Sequence, residues 1–456
     1  MGGKRQVDVN ALIDKSNFNS FTLTVAVICF FAIVFDGLDA SLFGTILPVL
    51  MKGLKLGPVE AGTLSSVGHI GTVAGAFFFG LAADTIGRKR MLIIGITTFT
   101  VFTAACGLAH GFADFALYRL IAGFGLGGVV PIAVALILEY TPLKRRGVVS
   151  STVYMGITGG ILMSALLAIT FLSTAGWRPI LLGTFSCIIL IPFAILWLPE
   201  SMSILVKKGR KESIGKILKK VDPGFIPDVN DEYVLTEPPA SKVPLISLFQ
   251  GVYARNTFLL CTTMLCLMMI GVTLTTWVSQ LMIQRGFTLA TGLTFILVYA
   301  GSNFISTPLA GWMADRIGYK KVFVIYMPIL FISESLIGIV PDPVTALICM
   351  FFAGFTGTGA ICLLLPCAGS LYPLSFRSTA MGVIYSFGRI GAIVGPFLVG
   401  VMLAAKISIP MVLIAMVSPS LVALAAFLFV KEAPSQTDLL QTDPLQTVVA
   451  TESLQP

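Results

Sequence analysis

Two carboxylates three residues apart, Asp36 and Asp39, stand in an otherwise apolar run, FFAIVFDGLDASLFGTILPVL. Two arginines are placed in the same way, Arg119 in LYRLIAGFGLGG and Arg389 in SFGRIGAIVGP. Charged groups in apolar surroundings are costly and point to function by default. Residues three apart share a helix face, and a buried carboxylate beside a second one holds a proton more readily. That chemistry suits reversible protonation near neutral pH; the plainer alternative is a static ion pair or a helix contact. A guanidinium stays charged and needs a counter-ion in lipid, and Asp39 or Asp36 can supply it to Arg119. The planar fork of Arg389 suits a carboxylate ligand.

Other polar groups are weaker candidates. Glu139 reads first as an interfacial carboxylate near Lys144 and Arg145. Glu334 lies within the ninth apolar stretch, where a structural role is expected. His69 and His110 are lone histidines, read as a hydrogen-bonded helix contact and a solvated loop residue. Trp277, Tyr299, Tyr385 and Phe387 are candidate ring contacts. The eight cysteines form no CxxC and read as buried free thiols. The glycine runs GFGLGG and GFTGTG follow no strand, so close helix packing explains them better than dinucleotide binding. No GxxxxGK[ST] is present to support ATP-driven work.

The elements that hold these residues follow from composition. Of 456 residues, 56% are hydrophobic and 11% charged, against about 25% charged in soluble domains. Soluble enzymes, nucleic-acid-binding domains and disordered scaffolds are excluded. Twelve apolar stretches, from 21–50 to 408–430, are long enough to span a bilayer, which takes about 20 residues. The expected class is an all-α polytopic membrane protein. Its parts are a polar arm (1–20), a six-helix bundle (21–198), a linker loop (199–255), a second six-helix bundle (256–430) and a disordered tail (431–456). The loop carries segments such as ESIGKILKK that can form short surface helices, but too little apolar content for a separate domain.

Charge fixes the expected orientation. With the N-terminus inside, inner segments hold 23 of the 30 Lys and Arg, outer loops hold five, and Arg119 and Arg389 lie in spans. Both termini are then cytoplasmic. On this reading Asp36 lies about 22 Å from Phe21 and Arg389 about 16 Å into its span. The halves repeat in register. GLAADTIGRKR (80–90) matches GWMADRIGYKK (311–321), and the same spacing of 231 residues pairs Pro142 with Pro373, Arg146 with Arg377 and Tyr154 with Tyr385. Parallel repeats of six spans are a transporter architecture with substrate between the halves. Arg389 matches Thr158, so its charge belongs to one half only.

These features resemble the major facilitator superfamily over nearly the whole chain. Its loop signature is matched by Gly80, Asp84, Gly87, Arg88 and Lys89, and its partner loop by Gly311, Asp315, Arg316 and Gly318, with Tyr319 in place of a basic residue. The resemblance implies that Gly80, Asp84, Gly87, Arg88, Asp315 and Arg316 form a conformational gate that latches helix ends in one state. Finer features resemble the aromatic acid:proton symporter family: DGLD at Asp36 and Asp39, LEYTP at Glu139, and GRIGA at Arg389. The opening DVNALIDKSNFNSF is similar to the benzoate-transporting branch. The resemblance implies a substrate and proton pathway through Asp36, Asp39, Arg119, Glu139 and Arg389.

The sequence is therefore read as a monomeric, multi-pass transporter of the cell membrane, not an enzyme, importing a small aromatic carboxylate with protons by alternating access. Organic acid, protons and lipid are its partners; nucleic acid, cofactor and metal are not expected. Alternatives are import of another acid such as nicotinate, and proton-antiport export, which the proline-free fifth span YMGITGGILM disfavours. A receptor or scaffold would need larger soluble extensions.

Overall fold

A backbone crossing hydrocarbon must satisfy its own hydrogen bonds, and long apolar runs therefore become helices. The computed structural model describes residues 5–228, 230–235, 248–372 and 374–431. The expected tail beyond Lys431, part of the linker loop, Lys4 and Pro373 lie outside the described residues.

The first half contains α1 (Val9–Lys15), α2 (Ser20–Gly53), α3 (Pro58–Ala83), α4 (Arg88–Cys106), α5 (Phe112–Tyr140), α6 (Arg146–Tyr154), α7 (Gly156–Ala175), α8 (Trp177–Gly183) and α9 (Leu190–Trp197). Two short helices follow, α10 (Met202–Lys207) and α11 (Lys211–Val221). The second half contains α12 (Gly251–Gln284), α13 (Leu289–Ile317), α14 (Tyr319–Ile337), α15 (Pro343–Leu371), α16 (Leu374–Ala404), α17 (Ile409–Val417) and α18 (Pro419–Leu428). The pairs α6–α7, α8–α9 and α17–α18 each make one span, giving twelve. Among the described residues eleven spans are long and apolar enough to cross a bilayer. The twelfth is α14, as long as α4 but carrying Lys320, Lys321 and Glu334.

The repeat runs through the helix boundaries themselves. Both ends of α2, α4 and α5 lie 231 residues before both ends of α12, α14 and α15. Gly87 and Gly318, also repeat partners, both take positive φ (133° and 83°) before α4 and α14, a conformation that suits glycine. The repeat also reaches the polar caps. Arg178 donates to the carbonyls of Gly107 and Ala109 beyond α4, and Arg285 to those of Ile337 and Val340 at the end of α14. Two arginines that are not repeat partners, Arg178 in α8 and Arg285 at the end of α12, thus cap equivalent helix ends.

The arm and the linker loop fold together on the first bundle. Strand β1 (Gln6–Asp8) pairs in parallel with β2 (Glu232–Val234). Val7, Val9 and Ile13 of the arm join Ile214, Leu218, Val221 and Tyr233 of the loop in one apolar cluster with the bundle. Neither segment has enough apolar surface alone, and each completes the other. Asn19 caps α2 through Thr22 N (3.1 Å) and donates to the carbonyls of Lys220 and Val221 (2.8 and 2.9 Å). Asp14 pairs with Arg146 at 2.5 Å.

The halves meet unequally. At the end away from the basic loops, a Cβ on Gly400 would lie 2.5 Å from the Pro58 carbonyl, and one on Gly62 2.6 Å from the Pro396 carbonyl. Ser66 donates across the halves to the Ile393 carbonyl (2.5 Å). At the basic ends of the same helices, Gly80 and Gly382 have nothing within 4 Å of such a Cβ. The far end is packed backbone to backbone, whereas at the basic ends of α3 and α16 the two glycines face open space.

Candidate substrate and proton site

Between the halves lies a small polar cavity of about 50 Å³, lined by Asp36 and Ala40 of α2, His69 and Thr72 of α3, Arg119 and Pro131 of α5, and Arg389 of α16. Close helix approach makes it possible. A Cβ on Gly71 or Gly75 would overlap the backbone of Leu120 or Phe124, so α3 and α5 touch along their glycines.

The two aspartates separate here. Asp39 is buried and fully engaged: Arg119 Nη1 donates to its Oδ2 (2.7 Å), Thr103 to its Oδ1 (2.5 Å), and Arg119 Nη2 to its backbone carbonyl (3.3 Å). Of the two partners open to Arg119, the structure selects Asp39. The Arg119 guanidinium also stands over the Phe43 ring (5.8 Å), and its Nε has no partner among the described residues. Asp36, half-buried, makes no ion pair within 4 Å among the described residues and faces the cavity. The charge nearest in function to Asp36 is Arg389 across the halves.

Arg389 has no carboxylate within 4 Å among the described residues. Its Nη2 donates weakly to the Tyr385 hydroxyl (3.4 Å), and its guanidinium stands over the Tyr385 ring (5.3 Å). Tyr154, the repeat partner of Tyr385, interacts with the Tyr385 hydroxyl from the opposite half. Residues near a two-fold axis meet their own equivalents. The match of Tyr154 with Tyr385 was legible in sequence; their meeting was not.

His69 was read as a helix contact. Its side chain instead lines the cavity, and it makes no side-chain hydrogen bond among the described residues. Trp277 and Tyr299 are buried in the second half, with their polar atoms on Pro396 and Thr358. Phe387 packs near Phe249. Of the four ring candidates, Tyr385 is the one beside Arg389.

Glu139 lies outside the cavity. It accepts from Arg88 (2.5 Å), Ser201 (3.0 Å), Ser203 (3.0 Å) and the Met202 amide (3.1 Å) at the basic end. Its cation is Arg88, in place of Lys144 or Arg145. Beside it, Glu200 accepts the amides of Lys89 (3.0 Å) and Ser201 (2.9 Å). A Cβ on Gly87 would run into that carboxylate, a second reason for glycine there. Sequence reasoning missed Glu200; the available signal was an acid directly after the sixth span. Asp84 is exposed and only loosely paired with Arg88 (3.9 Å). Asp315 is exposed, and exposed Arg316 stacks on Trp312 (4.3 Å). Of the residues expected to form a gate, Asp84 and Arg88 join a network within the first half, and Asp315 and Arg316 stand exposed.

All eight cysteines are free. Among the described residues no three His, Cys, Asp or Glu side chains cluster as a metal site.

The family model for the Major Facilitator Superfamily matches residues 29–306 and 290–454. The chain is 31% identical over 412 residues to a benzoate transport protein of Acinetobacter baylyi, covering 88% of each chain. It is 26% identical to a 4-hydroxybenzoate transporter of the same organism, over 95% of this chain and 96% of the relative. A niacin transporter, also from Acinetobacter baylyi, is 27% identical over 88% of this chain and 91% of its own. Among solved structures, the inward-open xylose transporter XylE of E. coli superposes with a TM-score of 0.71 at 16% identity, covering 92% of this chain and 99% of that one.

Proposed function

This chain belongs to the Major Facilitator Superfamily of transporters, and we propose that it imports a small aromatic carboxylate together with protons by alternating access. The observation that carries this reading is Arg389, a guanidinium without a carboxylate partner among the described residues that lines the same cavity as Asp36. An unpaired cation between the halves is a ready receptor for an anionic ligand.

Coupling follows from competition. Arg389 can favour one anion strongly, either the Asp36 carboxylate or that of the ligand. Two anions beside one cation repel each other, and protonation of Asp36 removes the conflict. Ligand and proton are then bound together or released together. The cavity of about 50 Å³ holds one or two waters at about 30 Å³ each. In this conformation it takes the carboxylate head, and the ring belongs toward Tyr385.

The basic end is read as cytoplasmic, in the cell membrane, with both termini on that side. With open space at Gly80 and Gly382 on the basic ends of α3 and α16 and the far end packed, the conformation is the inward-facing one. Asp84, Asp315 and Arg316 are free to engage across the halves when that end closes. Asp39 and Arg119 hold α2, α4 and α5 together as a frame for Asp36.

Uptake of radiolabelled benzoate, 4-hydroxybenzoate and nicotinate into vesicles with an imposed proton gradient tests the reading. Accumulation of an aromatic acid that collapses with the gradient supports it. Transport of none of the acids, or uptake indifferent to the gradient, refutes it. Nicotinate is the second reading, because niacin transporters are among the relatives.

A further inference from the structure

Glu334 lies on α14, outside the cavity, and is 0% exposed. Both its carboxylate oxygens lack any hydrogen-bond partner among the described residues, as does the hydroxyl of Ser335 next to it. The sequence reading expects only a structural role here; α14 turns this residue inward, against the second half's core.

The repeat gives its position meaning. Glu334 is the partner of Thr103, the hydroxyl that supports Asp39 in the first half. The partners of Asp39 and Arg119 are Ile270 and Met350, both buried. The second half has lost both charges of the equivalent ion pair and carries one carboxyl where the hydroxyl stood. Among the described residues no Lys, Arg or His pairs with its carboxyl. Of the helices packed on α14, the segments α15, α17 and α18 contain no charged residue, and α13 has only Asp315 and Arg316, near its basic end. Tyr299 of α13 is the titratable group that acts on it; the others on these helices are Cys349, Cys362 and Cys367 of α15 and Tyr319 and Tyr326 of α14. Lys320 and Lys321 are about 20 Å away along α14. A carboxylate stripped of water with no donor or cation is strongly disfavoured, whereas the neutral acid fits.

We propose that Glu334 is a proton-binding site of the second half, occupied in the conformation seen here and emptied when the far end opens. Glu334 is one turn from the last residue of α14, at the end away from the basic loops. There Arg285 is held by the carbonyls of Ile337 and Val340. Its contact with the Ile337 carbonyl holds this guanidinium about one helical turn along α14 from Glu334, within reach of a deprotonated carboxylate. Opening that end brings in water to take the proton, and Arg285 then pairs with the carboxylate. Proton occupancy at Glu334 therefore favours the far-end-closed state. One proton bound in one state and absent in the other shifts their balance by up to about tenfold per pH unit.

This inference rests on the alternating-access reading, but its test needs no substrate. Spin labels on Val59→Cys and Val401→Cys report opening of the far end in the purified full chain. The Asp36→Asn background removes the cavity aspartate. In that background, raising the pH should increase the far-end-open fraction, and Glu334→Gln or Glu334→Met should abolish the response. Methionine replaces a buried acid by an apolar residue as at Met350, a change that is commonly tolerated, so folding does not decide the result. The infrared band of a protonated carboxyl should be present in Asp36→Asn at neutral pH and missing from both double variants. A pH response that persists without Glu334, no response with it, or a carboxyl band indifferent to its replacement overturns the proposal. Failed acid uptake with an intact pH response overturns the substrate reading and leaves this site standing.

Discussion

If Arg389 anchors a carboxylate, its replacement must hurt acids and spare neutral analogues. In the structure its guanidinium makes one long contact, 3.4 Å to the Tyr385 hydroxyl, at the weak limit of hydrogen bonding. Its other donors have no hydrogen-bond partner among the described residues and can meet a ligand. A paired contact with a carboxylate in a partly dry cavity contributes about 1.5–3 kcal/mol. Losing it corresponds to about a ten- to hundredfold weaker apparent affinity. Arg389→Lys keeps the charge but loses the fork, so it should fall between wild type and Arg389→Ala. Calorimetric binding of benzoate and benzamide to purified wild type and both variants, with melting curves as a folding check, gives the answer. The acid should lose the full amount in Arg389→Ala, and the amide, already weak, little more. Equal losses for acid and amide, or none for either, would make Arg389 a structural cation and move the carboxylate to another site.

The two aspartates should fail differently. Asp39→Asn leaves Arg119 buried without its anion, which costs about 3–5 kcal/mol and should lower the melting temperature and the yield of folded protein. Asp36→Asn should melt like wild type yet lose gradient-driven accumulation; equal melting losses in the two would contradict their separate roles. Gly400→Leu places a side chain against the Pro58 carbonyl, where even a Cβ would lie at 2.5 Å. It should shift spin-label distances at the far end toward the open state, and an unchanged distance distribution would refute the tight packing there. A reporter fused after Lys208 should be active only if it functions in the cytoplasm, and activity on the other side would overturn the orientation read from charge.

Much of this protein is legible in its residue types. Apolar runs of the right length predict the helices because hydrocarbon offers the backbone no alternative partner. The 231-residue repeat predicts the boundaries of α12, α14 and α15 because matched sequences in matched surroundings start and stop alike. The loop signature is carried by Gly87, whose positive φ and contact with Glu200 leave little choice of residue. Less legible was the joint folding of arm and loop. Neither segment contains the apolar cluster, which appears only when Val9 and Ile13 meet Ile214 and Leu218.

The sequence by itself determined which charged residues fall within long apolar helices. It could not determine who pairs with whom. Asp36 and Asp39 sit on one face of α2, yet Thr103 of α4 and Arg119 of α5 claim Asp39, while α16 brings Arg389 into the cavity that Asp36 faces. The same holds for His69 and Glu334, one turned into the cavity and the other into a core without a partner. Spacing along a helix fixes direction, but a charge is satisfied by what another helix presents at that height. That is a property of packing between segments far apart in the chain.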